Sequence, residues 1–202
     1  MPSKAVTPRP AASGRDQQME QLVSSFFQLI GEDGSREGLV ETPARVRLAA
    51  EEIFSGYRQD PKKILKTFTQ DVCKEMVILK NCEFYSTCEH HLFPFFGHVS
   101  LAYLPNRRIV GISKLARLVD CFARRLQIQE RMTAQIADAI MDVLDARGVY
   151  VRCEATHFCM TSRGIRKQNA SMVTTAIRGA FEKSESLRLE FLAAVTGNIS
   201  VK

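Results

Sequence analysis

Hydrophobic and polar positions alternate with the periodicity of an α-helix before about residue 70. Apolar residues recur at the spacing of one helix face over residues 15–30, which predicts an amphipathic helix. Thr42 and Pro43 predict the start of a second helix, because proline is favoured in the first helical turn. Gly56 predicts the end of this helix. A short helical turn is predicted around residues 61–68.

After residue 76 the rhythm changes to a period of two, which is typical of half-buried strands. The segment from His98 to Tyr103 shows this alternation. The predicted elements follow in this order: strands over 76–86 and 97–104, helices over 113–122 and 127–146, strands over 149–160 and 171–181, and a helix over 186–195. Ser113 is the predicted N-cap of the first of these helices.

The order of elements after residue 76 predicts an α+β fold, a four-stranded antiparallel sheet with two helices on one face. Two helices cover only one face, so the other face and the sheet edges are expected to be buried in an oligomer. The chain is predicted to comprise a disordered tail over residues 1–14, a helical region over 15–70 and a domain built on the sheet over 71–202.

Composition narrows the class of protein. A hydrophobic fraction of 45% in 202 residues supports a folded core, and no apolar run approaches the length of a membrane span. The formal net charge of +6 favours an anionic partner, either nucleic acid or a phosphorylated small molecule. Aromatic residues are not interleaved with the basic ones, so we expect no nucleic-acid binding. Six cysteines without a visible signal peptide indicate a cytoplasmic protein.

Two short segments hold the residues with the strongest chemistry. Cys88 and His91 are spaced as C-x-x-H, which is a weak signal alone. In the second segment, H-x-C at strand spacing puts His157 and Cys159 on one face. Cys88, His91 and Cys159 would hold zinc with three protein ligands and leave a fourth position open, as in catalytic sites. The competing interpretation is that the cysteines are ordinary core residues.

His90 and His157 lie beside these ligands in the sequence and are candidates for proton transfer. The chain has four histidines, and all of them except His98 fall in the two segments. His90 has an alternative interpretation, in which it orients the zinc ligands without exchanging protons itself.

Longer stretches around these residues resemble the GTP cyclohydrolase I family. The resemblance runs from about residue 15 to 195. It is carried by the segments 41–45 (ETPAR), 84–95 (FYSTCEHHLFPF), 111–117 (GISKLAR), 127–131 (QIQER) and 155–166 (ATHFCMTSRGIR).

The resemblance implies a hydrolase that opens the imidazole ring of GTP. C8 leaves as formate, and the remainder rearranges to 7,8-dihydroneopterin triphosphate, the first step of tetrahydrofolate or tetrahydrobiopterin synthesis. It also implies the tunnelling fold, which has the ββααββ order predicted above. Members of the family assemble as a toroidal homodecamer with active sites at subunit interfaces.

The resemblance also implies roles for individual residues. His90 is placed to protonate N7 of the guanine ring, and His157 lies near the ribose. Glu130, and more weakly Gln129, would accept from the guanine base. Arg117 and Arg163 resemble the triphosphate-binding residues of the family, and Arg45 resembles the arginine contributed by a neighbouring subunit. Ser113 and Lys114 lie at a predicted helix start, where backbone N–H groups favour phosphate. The resemblance gives no firm role to Glu89, which lies inside the motif and is interpreted as a support for the zinc ligands. It also gives no role to residues 167–171, where Lys167 is a further candidate for a phosphate contact.

Other interpretations compete with the GTP-hydrolysing enzyme. A catalytically silent subunit of the same fold would have no need to keep every residue of the metal and histidine set. A nucleic-acid-binding module is suggested only by the positive charge and would bind DNA with a strong salt dependence. A nitrile reductase of the queuosine pathway would use a nucleophilic cysteine and NADPH without this zinc set.

Overall fold

The structure, a computed structural model, describes residues 14–70 and 73–197. The predicted tail therefore lies outside the described residues except for Gly14, which begins the first helix. The chain divides into two compact units between Glu52 and Ile53. Within the described residues, no helix is both long enough and apolar enough to cross a membrane.

The first unit contains the two predicted N-terminal helices. Helix α1 spans Gly14–Leu29 and helix α2 spans Thr42–Ile53. Arg47 joins them, because its guanidinium donates to Glu20 on α1 at 2.8 Å and to Glu51 on α2 at 2.9 Å. Both helices were predicted from the sequence within about two residues at each end, which is the usual scatter of helix boundaries.

The second unit contains the sheet and its covering helices. Its elements are α3 (Pro61–Ile64), β1 (Thr67–Phe68), β2 (Val77–Cys88), β3 (Pro94–Leu104), β4 (Ile109–Val110), α4 (Ile112–Ala123), β5 (Leu126–Gln127), α5 (Gln129–Leu144), β6 (Gly148–His157), α6 (Phe158–Thr161), β7 (Met172–Gly179), α7 (Ala180–Lys183) and α8 (Glu185–Thr196).

The strand order of the main sheet is β5-β2-β3-β6-β7. Strands β2, β3, β6 and β7 pair antiparallel, as the sequence predicts. The short strand β5 was not predicted, and it pairs parallel with the end of β2. Strands β1 and β4 form a separate two-stranded sheet. The mixed α+β class is therefore confirmed, with one strand added to the main sheet.

One face of the sheet packs against α4 and α5. Alternate residues of β3, including Val99 and Leu101, are fully buried there. They belong to one core cluster with Leu118 of α4 and with Ile136 and Ile140 of α5. Period-two burial on the strand meets helical spacing on the helices, so the predicted layer of two helices over one sheet face is confirmed.

The C-terminal helices cover part of the opposite face. Ala102 and Tyr150 pack there with Phe181 of α7 and Phe191 of α8, both fully buried. The expectation that this whole face is left for an oligomer is corrected, because the chain buries one end of it itself. On the strand β2, Tyr85 remains 70% exposed.

Residues 53–70 belong to the sheet unit and not to the N-terminal helices. Leu65 is 3% exposed within the main core. The backbone N–H of Gly56 donates to the carbonyl of Arg124 at 3.0 Å, and a Cβ at Gly56 would lie 2.3 Å from the carbonyl oxygen of Cys121. The predicted boundary between residues 70 and 71 is therefore corrected to Glu52/Ile53.

Candidate active site

Three strand ends meet at one end of the sheet. Cys88 ends β2 and His157 ends β6, while Phe95 near the start of β3 pairs with His157 in register. The turn between β2 and β3 is closed by the Cys88 N–H, which donates to the Phe93 carbonyl at 2.8 Å, and by the Leu92 N–H, which donates to the Cys88 carbonyl at 2.9 Å. This topology brings the two motif segments together.

The three predicted metal ligands form a cluster. The ligand atoms of Cys88, His91 and Cys159 all lie within 4.8 Å of one another. Burial and the adjacent Cys88 raise the pKa of the Cys159 thiol, and Arg163 opposes this shift. A cation between the two sulfurs would remove their repulsion, and two thiolates with an imidazole suit zinc. The residues therefore fit a zinc ion.

The route by which Cys159 reaches the cluster differs from the prediction. Strand β6 ends at His157, and Cys159 lies in the short helix α6. The chain turns there because the N–H and hydroxyl of Ser162 both donate to the carbonyl of Phe158, at 3.0 and 2.6 Å. The interpretation that His157 and Cys159 share one strand face is corrected, although both still reach the site.

His90 lies next to the cluster without belonging to it. Its Nδ1 is 3.9 Å from the sulfur of Cys88, and its side chain is exposed. His91 completes the cluster, so His90 is not needed as a ligand, and its Nδ1 is within hydrogen-bond reach of the Cys88 sulfur. Within the described residues, its Nε2 makes no hydrogen bond and is the ring nitrogen left for proton exchange.

Glu89 ties the turn to helix α5. Its backbone N–H donates to the carbonyl of Gln127 at 3.1 Å, and its carboxylate forms an ion pair with Arg131. Arg131 also donates to the side-chain oxygen of Gln127 at 3.0 Å. The hydrogen bonds from Arg131 hold the pKa of Glu89 below its ordinary value. The carboxylate thus anchors the segment that carries two candidate ligands.

His157 is half-buried, and its ring lies against Phe95 and Gln129, which together form the His157 pocket. Its ring stacks on Phe95, with centroids 4.6 Å apart and planes 4° from parallel, and its Nε2 lies 2.8 Å from Oε1 of Gln129. Burial lowers the pKa of His157, and the nearby Glu130 carboxylate opposes this shift. Burial raises the pKa of Cys153 behind it to about 12, so this thiol stays neutral.

Gln129 has a different place from the one predicted. Its side chain is 1% exposed. The two hydrogens of the amide nitrogen are shared among acceptors on Cys153, Met172 and Thr174, at 3.0 to 3.1 Å, and the amide oxygen faces His157. The amide is buried and has partners at both its nitrogen and its oxygen. The predicted contact between the Gln129 side chain and guanine is therefore corrected.

The remaining candidates in this unit are accessible. Glu130 is exposed in the first turn of α5. In the part of the chain that the structure describes, the side chains of Lys114, Arg117 and Arg163 make no hydrogen bond or ion pair. Ser113 is exposed inside α4 and is not its N-cap, because Gly111 takes that position without a side-chain cap. The Lys114 N–H donates to the carbonyl of Gly111 at 2.8 Å, and the N–H groups of Ile112 and Ser113 in the same turn are left to face an anion.

Arg45 belongs to the N-terminal unit. It lies on α2, where its exposed guanidinium forms an ion pair with Glu41 one helical turn earlier. An anionic ligand would have to compete with this pair, which is weak because both side chains are more than half exposed.

Sequence reasoning missed several residues that shape the site. Phe95 supports the ring of His157, Arg131 anchors the turn through Glu89, and Thr133 and Thr174 surround the amide of Gln129. Only Phe95 had a usable signal, since antiparallel pairing of the predicted strands places it opposite His157.

The sequence profile described as GTP cyclohydrolase I matches residues 19–196. GTP cyclohydrolase 1 of Wolinella succinogenes is 55% identical over 178 residues, which cover 88% of this chain and 95% of that protein. GTP cyclohydrolase 1 of Helicobacter pylori strain G27 is 50% identical over 175 residues, covering 86% and 97%.

Among solved structures, the chain is similar to the apo form of an archaeosine synthase QueF-like protein. The identity is 16% and the TM-score 0.44, over 54% of this chain and 98% of that one. The profile covers most of the chain, and the relatives are matched over nearly their whole length at half identity or more. This chain belongs to the GTP cyclohydrolase I family.

Proposed function

We propose that Cys88, His91 and Cys159 hold a zinc ion at the place where this enzyme opens the imidazole ring of GTP. The reaction releases formate and yields 7,8-dihydroneopterin triphosphate, the first step of folate and pterin synthesis. One observation carries the proposal: two thiols and an imidazole converge beside His90 and His157, which are not needed as ligands.

The metal cluster accounts for the strong nucleophile that hydrolysis at C8 of guanine requires. C8 is a poor electrophile, so hydrolysis needs both a strong nucleophile and protonation of the ring. When bound, zinc lowers the pKa of a coordinated water so that a nucleophile is available at neutral pH. The ion pair between Glu89 and Arg131 holds the turn that carries Cys88 and His91.

The two remaining histidines divide the proton transfers. His90 protonates N7 of guanine and shuttles protons as the ring opens, which its exposed position beside Cys88 supports. His157 acts at the ribose, where opening of the sugar precedes rearrangement. Its stacked and hydrogen-bonded ring supports a role that needs fixed orientation.

Specificity for guanine is assigned to Glu130. A carboxylate that faces N1–H and the N2 amino group of guanine is satisfied by both donors, whereas adenine would leave it unpaired. The exposed position of Glu130 in the first turn of α5, three residues after the strand that pairs with Cys88, supports this role.

The triphosphate is assigned to Lys114, Arg117 and Arg163, whose side chains have no hydrogen-bond or ion-pair partner among residues 14–70 and 73–197. Lys114 and Arg117 lie in the first turns of α4, and Arg163 follows Cys159 closely enough that its charge acts on that thiol. Their charges and the N–H groups of Ile112 and Ser113 at the start of α4 suit phosphate oxygens. Arg45 is proposed to reach the triphosphate of a neighbouring subunit.

The proposed assembly is a tunnelling-fold homodecamer in the cytoplasm, with sites between subunits. The unpaired edge of β7 and the exposed Tyr85 on the sheet support further association. Mixing Arg45→Ala chains with Cys88→Ser chains tests the shared site. Recovery of formate release in the mixed oligomers is expected. Mixed oligomers verified by mass spectrometry that stay inactive would place Arg45 outside a neighbour's site.

The enzyme is tested by incubating the purified protein with GTP. Formate and the fluorescence of oxidised neopterin should appear together, in equal amounts, and about one zinc per chain should be present. A Cys88→Ser protein is the matched control and should produce neither. Formate without neopterin would indicate ring opening without rearrangement, and turnover by the zinc-free protein would contradict the metal assignment.

A further inference from the structure

A chain of hydrogen bonds with a fixed direction begins at the backbone of Gln129. The carbonyl of Gln129 can only accept, so Thr133 Oγ1, at 2.7 Å, must donate its hydrogen there. Thr133 and Thr174 hydroxyls are also 2.7 Å apart. Because the hydrogen of Thr133 is already used, the Thr174 hydroxyl donates to Thr133 and is left to accept on its own oxygen.

The direction of these hydrogen bonds determines which end of the Gln129 side-chain amide faces Thr174. Its Nε2 lies 3.1 Å from Thr174 Oγ1, 3.1 Å from the carbonyl of Cys153 and 3.0 Å from the carbonyl of Met172. All these oxygens act as acceptors at that point. A flipped amide would set Oε1 against them, and with Gln129 and Thr133 each 1% exposed, water offers little compensation.

The amide orientation in turn determines where the proton sits on His157. Oε1 of Gln129 faces Nε2 of His157 at 2.8 Å, and an amide oxygen only accepts. Nε2 must therefore carry hydrogen, whether the ring is neutral or protonated. Stacking on Phe95, with planes 4° from parallel, keeps the ring in the plane that this bond needs.

We infer that Gln129 is a positioning residue which locks neutral His157 in the Nε2–H tautomer, so that Nδ1 is the ring atom left to accept a hydrogen bond from the substrate. The locking follows from the fold alone. The catalytic consequence rests on the proposed role of His157 at the ribose. In that role, Nδ1 of the neutral ring faces the substrate as an acceptor, while Nε2 stays bonded to Gln129.

The tautomer is measured directly on the zinc-loaded, full-length protein. Histidine labelled with ¹⁵N and ¹³C gives separate solid-state NMR patterns for the two neutral tautomers. A spectrum of the His157→Asn protein assigns the His157 signals by difference. The expected pattern has hydrogen on Nε2 and a bare Nδ1. A pattern with hydrogen on Nδ1 in the wild-type protein overturns the proposal, whether or not the protein turns over GTP.

Variants separate positioning from stability. Gln129→Leu removes the acceptor, so the His157 tautomers should mix and kcat should fall by about 10- to 100-fold, the usual effect of losing an orienting partner. KM for GTP should change little. Gln129→Glu keeps an oxygen toward His157 when its buried carboxyl is protonated, and it should recover the tautomer and part of kcat. Ile140→Ala, fully buried on the same helix, controls for lost stability.

The outcomes are distinct. A lowered kcat with an unchanged His157 tautomer in Gln129→Leu would mean that Gln129 acts in another way and would overturn the proposal. An equal loss of kcat in Ile140→Ala at matched stability would reduce Gln129 to a core residue. A correct tautomer in a wild-type protein without GTP turnover would uphold the lock and defeat the proposed function alone.

Discussion

The turn from Cys88 to Phe93 and the His157 pocket lie at the same end of the sheet. Exposed interactions stabilise the turn, whereas buried ones stabilise the pocket. The turn has exposed side chains at His90, His91 and Leu92, and backbone bonds with the Glu89–Arg131 ion pair secure it. The pocket is secured by buried side-chain hydrogen bonds in which every donor has its acceptor.

The difference shows how each half of the site gains its geometry. Buried hydrogen bonds are costly to break because each freed group is left without water, so the orientation of His157 is set by folding. Exposed pairs and turns are held weakly. A bound ion that joins Cys88, His91 and Cys159 would supply the missing rigidity, since binding energy and local order are coupled at metal sites.

The largest expected effect comes from removing a ligand. In Cys159→Ser, the hydroxyl does not ionise at neutral pH, so zinc affinity should fall by more than the about 100-fold that losing an outer partner costs. Formate release should drop to background. Zinc content by mass spectrometry and the NMR pattern of His157 are measured together. Loss of the His157 pattern together with the metal would contradict the contrast between turn and pocket, because the pocket would then also depend on the ion.

Removing a proton-transfer group should have the next largest effect. His90→Ser should keep its zinc and lose about 10²- to 10⁴-fold in formate release, the usual contribution of a positioned acid or base. His98→Ser, an exposed histidine of β3 outside the cluster, is the matched control and should stay active. Loss of zinc in His90→Ser would instead make His90 a ligand or the residue that orients one.

Specificity for the base gives an intermediate effect. Glu130→Ala should weaken GTP binding by about 10- to 100-fold, which corresponds to about 1.5–3 kcal/mol for hydrogen bonds to a charged group. Inorganic triphosphate should bind as before, because the cations near α4 and Cys159 are unchanged. Calorimetric titration with both ligands makes the comparison. Equal weakening of both would place Glu130 outside the base pocket.

The sequence predicted the fold well where alternation was long. The elements that pack one face into the main core lie close to their predicted positions. They are β2, β3, β6, β7, α4 and α5. The two-residue strand β5 has too short a pattern to show alternation. The domain boundary was placed too late because the burial of Leu65 comes from tertiary packing and has no local signal.

For the site, residues that are close in sequence were predicted and residues joined by tertiary contacts were not. The cluster of Cys88, His91 and Cys159 followed from its motifs. The role of Gln129 did not, because its partners lie 24 to 45 residues away in the sequence. A glutamine next to Glu130 therefore gave no sign that it faces inward.

A small effect is expected from freeing the turn from α5. Arg131→Met removes the ion pair with Glu89 and the bond to Gln127, so Cys88 and His91 should lose some preorganisation. Zinc affinity should fall by about tenfold, the lower end of what outer partners contribute. Arg152→Met removes a comparable pair with Glu154 on the sheet and should not change zinc affinity. An equal loss of zinc affinity in both variants would show that the ion pair between Arg131 and Glu89 has no specific effect on the turn.

The smallest effect is expected at Leu92, which lies in the turn with φ of 57° and is 66% exposed. The left-handed conformation costs an ordinary residue about 1–2 kcal/mol, while glycine costs about 0.5–1 kcal/mol through its unfolded-state freedom. Leu92→Gly should therefore raise the free energy of unfolding by at most about 1.5 kcal/mol. Arg166→Gly, at φ of 52° and also exposed, should behave alike.

Chemical denaturation of both variants, together with sedimentation, decides what Leu92 does. Its exposed side chain loses little packing within the chain when removed, so a gain for both variants supports a strained, weakly held turn. A clear loss for Leu92→Gly with smaller oligomers, and a gain for Arg166→Gly, would show that a neighbouring subunit packs on Leu92. The turn would then be rigidified by assembly as well as by metal, and its contrast with the His157 pocket would hold only for the isolated chain.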